Sequence, residues 1–458
     1  MFVDLEMLRR YDRPGPRYTS YPTAPQFTTD FGRKEFEHEI QKSNQEENPT
    51  DLSLYFHLPF CDTLCYFCGC TMIITRNRQR IEEYVDYLAK EIQLVGSKIK
   101  SGRRVAQLHW GGGTPTYLSP EQIRRLFDAI REHFAFRPDA EISVEIDPRG
   151  LTDAHLDALR DVGFNRASMG VQDFNPEVQR AVNRLQSEQL TRRVCEGLRE
   201  RGFLSINLDL IYGLPHQTAD SFARTLDRII AMEPDRLAVF NYAHVPWLKK
   251  HQRVIDENTL PKAEEKLRIL KSTIEKLTSA GYVYIGMDHF ARQNDPLTQA
   301  FHDKSLYRNF QGYSTLAGCD LYGLGMSSIS QLREVYAQNT KEIPRYYGAI
   351  GENELATYRG YRLTPDDHLR RHVIMTLMCD FELDKHEVEE RFHIDFDRYF
   401  EDALPELEQF AEDGLIETPD SRIVVTETGH LLIRNIAMAF DKYLARQKPE
   451  QQVYSRTV

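Results

Sequence analysis

Six short runs of apolar, β-branched and aromatic residues, at 52–60, 105–110, 140–146, 166–171, 205–211 and 236–242, punctuate the first half of the chain. Each reads as a strand, and helical patterns separate them at intervals of about thirty residues. Between the first two runs, Ile81, Val85, Leu88, Ile92, Val95 and Ile99 recur at three- and four-residue spacing, the mark of one buried helical face. The next helix opens at Ser119-Pro120-Glu121-Gln122, a capping serine followed by proline at the first helical position. Strand, helix and strand in this order predict a parallel sheet with right-handed crossovers. Six such units are too few to close a regular eight-stranded barrel. The expected fold is therefore α/β, a partial, open TIM-type barrel of about six βα units over residues 51–290. A long amphipathic helix between Pro261 and Tyr282 leads to Ile285–Ala291, read as a last strand or loop.

The flanks carry different patterns. Residues 1–50 precede the first strand, and the prolines of Arg13-Pro14-Gly15-Pro16-Arg17 exclude a helix there, which leaves an N-terminal arm, ordered or solvated. Residues 291–362 read as a connecting segment that completes the active site. From 363 to 458 apolar positions recur at helical spacing (Val373, Leu377, Val388, Phe392, Phe396, Phe400), followed by a helix stop at Gly414 and a hairpin strand at 422–426. This is a mainly helical, winged-helix-like cap, and its acidic surface argues against DNA.

Composition narrows the class. The 458 residues are 41% hydrophobic, without repeats, without an apolar run long enough to cross a bilayer, and without a signal-peptide pattern at Met1-Phe2-Val3-Asp4. A cytoplasmic protein is expected, and a monomer, since no face looks reserved for a partner. With 69 acidic against 58 basic side chains the formal charge is −11, which disfavours nucleic acid or an anionic membrane as partner.

Chemistry enters with the cysteines. Four of the seven fall in ten residues, Cys61 to Cys70, just after the first strand. Active-site loops of α/β barrels follow their strands in this way. Thiols at this density, with no secretory leader, suit a soft metal or an iron–sulfur cluster better than a disulfide. Cys61, Cys65 and Cys68 are spaced C-x3-C-x2-C and supply three ligands where a closed site takes four. Three thiolates leave one iron of a four-iron cluster open. Zinc held by Cys61, Cys65, Cys68 and Cys70 is the competing reading, cramped by the single residue between the last two. The other strands end in polar residues: His109-Trp110-Gly111-Gly112-Gly113-Thr114, Glu145-Ile146-Asp147, Gln172-Asp173, Asp209 and Asn241-Tyr242-Ala243. The glycine run lets backbone amides approach a carboxylate or phosphate.

The aromatic before the last thiol, in Cys65-Tyr66-Phe67-Cys68, resembles the cluster motif of the radical S-adenosylmethionine (SAM) enzymes. With His57-Leu58-Pro59-Phe60 before it, Gly69-Cys70 after it and the arm Gly15-Pro16-Arg17-Tyr18-Thr19-Ser20-Tyr21-Pro22, the chain is similar to the oxygen-independent coproporphyrinogen III oxidase family. The resemblance runs from about Tyr11 to the carboxyl end. It implies one [4Fe-4S] cluster bound by Cys61, Cys65 and Cys68, and two molecules of S-adenosyl-L-methionine. Tyr55, Gly112, Glu145 and Ile329 match contacts of the cluster-bound SAM. Phe67, Gly113, Thr114, Gln172, Arg184, Asp209 and Ala243 match contacts of the second. Tyr55, Glu145 and Gln311 are the catalytic candidates. The implied substrate is coproporphyrinogen III, with a low-potential donor such as a flavodoxin-type protein supplying electrons. Arg17, Lys249, Lys250 and Arg253 are candidates for its propionates, and the role of Cys70 stays open. A haem-binding chaperone, or another porphyrin-acting member of the same branch, is the rival. Cys70 two residues after the last ligand, where chaperones typically carry phenylalanine, and the long arm favour the oxidase.

Overall fold

In the computed structural model, which describes residues 5–444 and 454–457, the expected strands all form. They are β1 (Leu52–Leu58), β2 (Arg104–Gly112), β3 (Ala135–Ile146), β4 (Arg166–Gln172), β5 (Ser205–Tyr212) and β6 (Arg236–Asn241). All neighbouring pairs from β1 to β6 are parallel, in chain order. The reading of the amino terminus rests on residues 1–4, and part of the cap on 445–453 and 458; these lie outside the described residues.

The helices follow from their patterns. Helix α1 (Leu5–Tyr11) and helix α2 (Arg33–Gln45) lie in the arm, and α3 (Arg78–Lys98) crosses from β1 to β2. Ile81, Val85, Leu88, Ile92 and Val95 of α3 are buried on one face, together with Tyr84 and Glu91. Helix α4 (Pro120–His133) begins with a reciprocal capping box in which Ser119 Oγ accepts from the Gln122 N–H and Gln122 Oε1 from the Ser119 N–H. Helices α5 (Asp153–Val162), α6 (Glu188–Glu200), α7 (Ala219–Ile230) and α8 (Ala263–Ser279) make the remaining crossovers. Their apolar faces pack on the outside of the sheet, as Phe222, Leu226 and Ile229 of α7 do. Each such side chain contributes about 1.5–3 kcal/mol on burial.

The sheet is larger than six strands. Residues 282–292 form a hairpin, β7 (Tyr282–Gly286) and β8 (His289–Arg292), that adds antiparallel to β6 through β8. On the opposite side β9 (Asp320–Leu324) pairs parallel with β1, and β10 (Ile329–Gln331), β11 (Val335–Asn339) and β12 (Thr357–Arg362) continue antiparallel. The order is β12-β11-β10-β9-β1-β2-β3-β4-β5-β6-β8-β7, an open sheet with seven parallel strands at its centre. Segment 291–362, expected as a connector, thus supplies a seventh parallel strand and covers the edge at β1.

The arm is ordered. Its Pro14 bridges Arg456, and Arg434, from the C-terminal region, donates to the carbonyls of Gly15 and Pro16. Tyr18 is fully buried and donates to Asp441 at 2.9 Å. The C-terminal region holds helix α9 (Pro365–Asp380), several short helices and a three-stranded sheet of 382–384, 422–425 and 416–417. Among the described residues no helix is long and apolar enough to cross a membrane.

Candidate active site

Parallel register brings alternate residues of successive strands to one inner face. Glu145 pairs with Ser168 and Ser168 with Asn207, while Gly170 pairs with Asp209 and Asp209 with Ala238. These side chains line a cavity of about 480 Å³ inside the sheet's curve. Cys61, Cys65, Phe67, Cys68, Gly112, Gly113, Thr114, Glu145, Gln172, Arg184, Asp209 and Gln311 of the expected set all border it. Tyr55, Ala243 and Ile329 do not line it but adjoin it. Tyr55 lies on β1, its hydroxyl 3.1 Å from His57 Nδ1 and its ring stacked on His109 at 5.9 Å. Ile329 crosses next to Gly323, the register partner of Tyr55, so closely that a Cβ at Gly323 would stand 2.6 Å from the Ile329 carbonyl. The Ala243 carbonyl accepts at 3.2 Å from the Gln252 amide, which also donates to Phe67 at 3.1 Å.

The cysteine loop is seated by backbone. The Gly113 N–H donates to the Leu58 carbonyl and the Thr114 N–H to that of Phe60, both at 2.9 Å. A side chain at Gly113 would meet the Pro59 oxygen at 2.4 Å, so glycine is what allows the glycine run and the cysteine loop to touch. Cys61 Sγ lies 3.2 Å from the Thr114 hydroxyl, and burial pushes its thiol up to about 12. Cys70 and Cys68 share a hydrogen bond, which brings Cys68 below the usual thiol range and holds Cys70 above it.

Two guanidinium groups stand beside Cys65 Sγ, Arg149 at 3.5 Å and Arg184 at 3.7 Å. Both are held by Asp147, at 2.7 Å and 3.0 Å. Burial would raise the Asp147 carboxyl, and the two arginines more than offset it, so it stays below the usual carboxylate range. Arg184 also donates to the Gly170 carbonyl at 2.6 Å. A Cβ at Gly170 would stand 2.7 Å from the Gln172 amide nitrogen and 3.1 Å from the Arg184 guanidinium, and Gln172 itself sits in the left-handed region at φ 70°. A non-glycine residue held there at a strand end is the kind of local strain found at binding sites.

Glu145 and Asp209 have different environments. Burial would raise Glu145, yet hydrogen bonds from His109 at 3.4 Å and from the Gly112 N–H at 3.0 Å hold it below the ordinary value. Asp209 accepts from the Ser168 hydroxyl at 3.0 Å and the Asn207 amide at 2.7 Å, but burial, aided by the charge of Glu145, pushes it up to about 7. One carboxyl is thus ionised at neutral pH and the other is poised to titrate.

Several residues of the site were not anticipated as such. Arg149, two residues after Asp147, completes the pair of cations at Cys65. At the strand beginnings Glu141 pairs with Arg166 at 2.8 Å and Gln107 donates to Glu141 at 3.2 Å, so the cavity floor is polar. The signal was present as polar residues at every second position within the apolar runs. Of the basic candidates, Arg17 pairs with Asp288 and lies 5.5 Å over the ring of Phe240, which borders the cavity. Lys249, Lys250 and Arg253 do not line the cavity. They lie on the loop after β6, which runs outside the cysteine loop.

The donor set fits an iron–sulfur cluster with one open position: three thiols on one loop, two adjacent cations and a polar cavity beyond them. Among the described residues no three His, Cys, Asp or Glu side chains converge as a ready-made single-ion site.

Residues 55–229 match the Radical SAM superfamily and residues 363–432 the HemN C-terminal domain. The chain is 50% identical over 455 residues to the oxygen-independent coproporphyrinogen III oxidase of Escherichia coli (strain K12), covering 99% of this chain and 98% of that one. To the enzyme of the same name from Pseudomonas aeruginosa it is 48% identical over 457 residues, with the same coverage. The solved structure of coproporphyrinogen III oxidase (HemN) from Escherichia coli, described as a radical SAM enzyme, superposes with a TM-score of 0.91 at 49% identity, covering 97% of this chain and 99% of that one. Cysteine loop, open barrel, cap and arm therefore agree with full-length similarity, and this chain belongs to the oxygen-independent coproporphyrinogen III oxidase family of the radical SAM superfamily.

Proposed function

We propose that this chain converts coproporphyrinogen III to protoporphyrinogen IX without oxygen, by oxidative decarboxylation of two propionate side chains in haem biosynthesis. Each –CH2–CH2–COO⁻ becomes –CH=CH2, with loss of one carbon dioxide, one hydrogen atom and one electron. The observation that carries this reading is the convergence of Cys61, Cys65 and Cys68 with the strand-end residues on one cavity in a chain similar over its whole length to enzymes of that name. A [4Fe-4S] cluster held by Cys61, Cys65 and Cys68, together with SAM, would supply the radical chemistry that removes the hydrogen atom.

The protein's own residues position and shield. Cys61, Cys65 and Cys68 hold the cluster, and the Arg149 and Arg184 guanidinium groups stand beside Cys65 Sγ. Gly112 presents backbone to the methionine end of the first SAM, where Glu145, kept ionised, accepts from its ammonium or ribose; Tyr55 and Ile329 back this position through β1 and β10. Phe67, Gly113, Thr114, Gln172, Arg184, Asp209 and Ala243 shape the place of a second SAM, with Arg184 offering its fork to a carboxylate. Gln311 closes the cavity from the 307–314 hairpin. The described parts of the cap (363–444) and of the arm (5–50) flank the barrel formed by 51–290, and segment 291–362 completes the site through Gln311. A cytoplasmic monomer served by a low-potential donor, with neither nucleic acid nor membrane as partner, accords with the charge and the fold.

The test is anaerobic turnover of reconstituted protein with SAM, dithionite and coproporphyrinogen III, following carbon dioxide and the divinyl product together. Wild type should form both, and Cys65→Ser neither, with loss of the cluster's visible absorption. Tight haem binding without decarboxylation would overturn the reading in favour of a chaperone.

A further inference from the structure

The loop 245–255 lies against the outside of the cysteine loop and is bonded to it three times. The Gln252 amide donates to the Phe67 carbonyl at 3.1 Å, His251 Nε2 stands 2.7 Å from the Cys68 carbonyl, and the Lys249 ammonium donates to the Cys70 carbonyl at 3.1 Å. Ile255 anchors it in an apolar cluster against which Tyr66 and Phe67 pack. Its other side is open: Trp247, Leu248 and Val254 are 51, 60 and 63% exposed, and Lys250 and Arg253 are exposed beside them. Among the described residues eight large apolar side chains are exposed, and three of them fall within these eight positions, which makes a patch rather than scatter. The 182–186 turn, which receives the Tyr66 N–H at 3.0 Å and donates from Asn183 to the Leu64 carbonyl at 2.9 Å, adds an exposed Leu185 on a second loop touching the cysteines.

The charge of this patch runs against that of the chain. Lys249, Lys250 and Arg253 occur with no acidic residue from 245 to 255, in a protein of formal charge −11. The acidic residues that follow are engaged, Asp256 in capping Asn258 and Glu257 with His244 at 3.1 Å. Neither Trp247, Leu248, Lys250, Arg253 nor Val254 lines the cavity, so the patch is not the substrate's wall.

We propose that Trp247, Leu248, Lys250, Arg253 and Val254 form the docking face for an acidic one-electron carrier protein that reduces the cluster. The inference rests on the proposed function, which requires a reduced cluster. One electron leaves the reduced carrier and enters the cluster, with no bond made or broken and no proton moved; the His251–Cys68 hydrogen bond places the loop that carries the patch against the backbone of a cluster-ligand candidate. Exposed cations steer an acidic partner at low ionic strength, and a central tryptophan is the side chain on which transient interfaces concentrate their affinity. A basic, apolar patch backed by the cysteine loop serves both needs.

The experiment measures cluster reduction by stopped-flow absorbance in reconstituted holoenzyme, with photoreduced flavodoxin, a small acidic flavoprotein, as the probe. Wild type, Lys250→Glu/Arg253→Glu and Trp247→Ser are compared at about 20 mM and about 300 mM salt, where screening differs severalfold in range. The charge reversal should slow reduction by about tenfold or more at low salt, with the gap closing at high salt. Trp247→Ser should slow it at both. Dithionite, which needs no docking face, should reduce all three equally and drive equal decarboxylation. Equal rates with flavodoxin would overturn the proposal, as would loss of dithionite-driven turnover in the patch variants, or loss of binding to phosphatidylglycerol vesicles with flavodoxin rates unchanged. If wild type is reduced in a patch-dependent way but decarboxylates nothing, the docking face stands and the proposed function falls.

Discussion

Asp209 allows the proposed two-SAM arrangement to be tested by pH. Its carboxyl is raised from 3.8 to about 7, by burial first and by Glu145 second. A cationic ligand seated beside it would favour the carboxylate, so binding below that value expels a proton. The sign follows: in the free protein Asp209 is neutral below about 7 and in the complex it is ionised, so affinity rises with pH and levels off above 7. Between pH 6 and pH 8 the ionised fraction of a group titrating near 7 grows from about one in eleven to about ten in eleven. The second SAM should therefore bind about tenfold more tightly at pH 8, about 1.4 kcal/mol. Glu145 lies below the usual carboxylate range and stays ionised throughout, and burial keeps His57 below its usual value. Equilibrium dialysis of labelled SAM against reconstituted wild type and Asp209→Asn gives stoichiometry and affinity at both pH values. The ligand's own amine titrates alike in both proteins and cancels in their ratio. Asn at 209 should weaken the second site at pH 8 and flatten the ratio's dependence on pH. An unchanged second site, or the same pH dependence in both proteins, would refute the reasoning.

Two further expectations concern the scaffold. Glu91 is fully buried, accepts from the Gly325 N–H at 2.6 Å, the Tyr346 hydroxyl at 2.7 Å and the Asn339 amide at 2.7 Å, and burial raises it to about 7. The folded state thus holds its proton more tightly than the unfolded chain, and stability should fall as pH rises from about 4.5 to about 7, by about 3 kcal/mol in all. Glu91→Gln should cost about 1–3 kcal/mol at pH 5.5, because one acceptor is lost, and the Tm gap to wild type should shrink or reverse at pH 8. A gap independent of pH would count against it. Gly113→Ala places a methyl 2.4 Å from the Pro59 oxygen, backbone against backbone, so the two loops must part. Overpacking of this kind costs about 1–3 kcal/mol, and iron and SAM content after reconstitution should fall well below wild type; full retention of both would show that the contact is dispensable.

The six central strands, the α3 face, the capping box at Ser119 and the cysteine loop were legible because each is written in a window of a few turns or one strand length, where period and spacing carry the signal. The residues at the strand ends were legible for a related reason: once strands are parallel, their carboxyl ends must share one side. Helix α2 was not, because its buried face holds only Phe36, Ile40 and Glu39, and Glu39 is accommodated by Arg362 at 2.8 Å, a partner more than three hundred residues away. Strand β9 was missed for the same cause. Its place beside β1 is fixed by backbone pairing from Leu52↔Asp320 to Phe56↔Leu324, reinforced by Arg103 reaching Asp320 at 2.6 Å, and no local pattern records such a partner.

Residue types and spacings along the chain determined that three thiols, a glycine run and a set of strand-end polar groups would exist. The tertiary structure alone decided which way loop side chains turn. Arg149 and Arg184 converge on Cys65 because Asp147 pairs with both, whereas Lys249, Lys250 and Arg253, equally basic in sequence, remain outside because Gln252 and Ile255 hold their loop against the back of the cysteines. Periodicity fixes the face of a helix or strand; a loop has no period, and its orientation comes only from what it packs against.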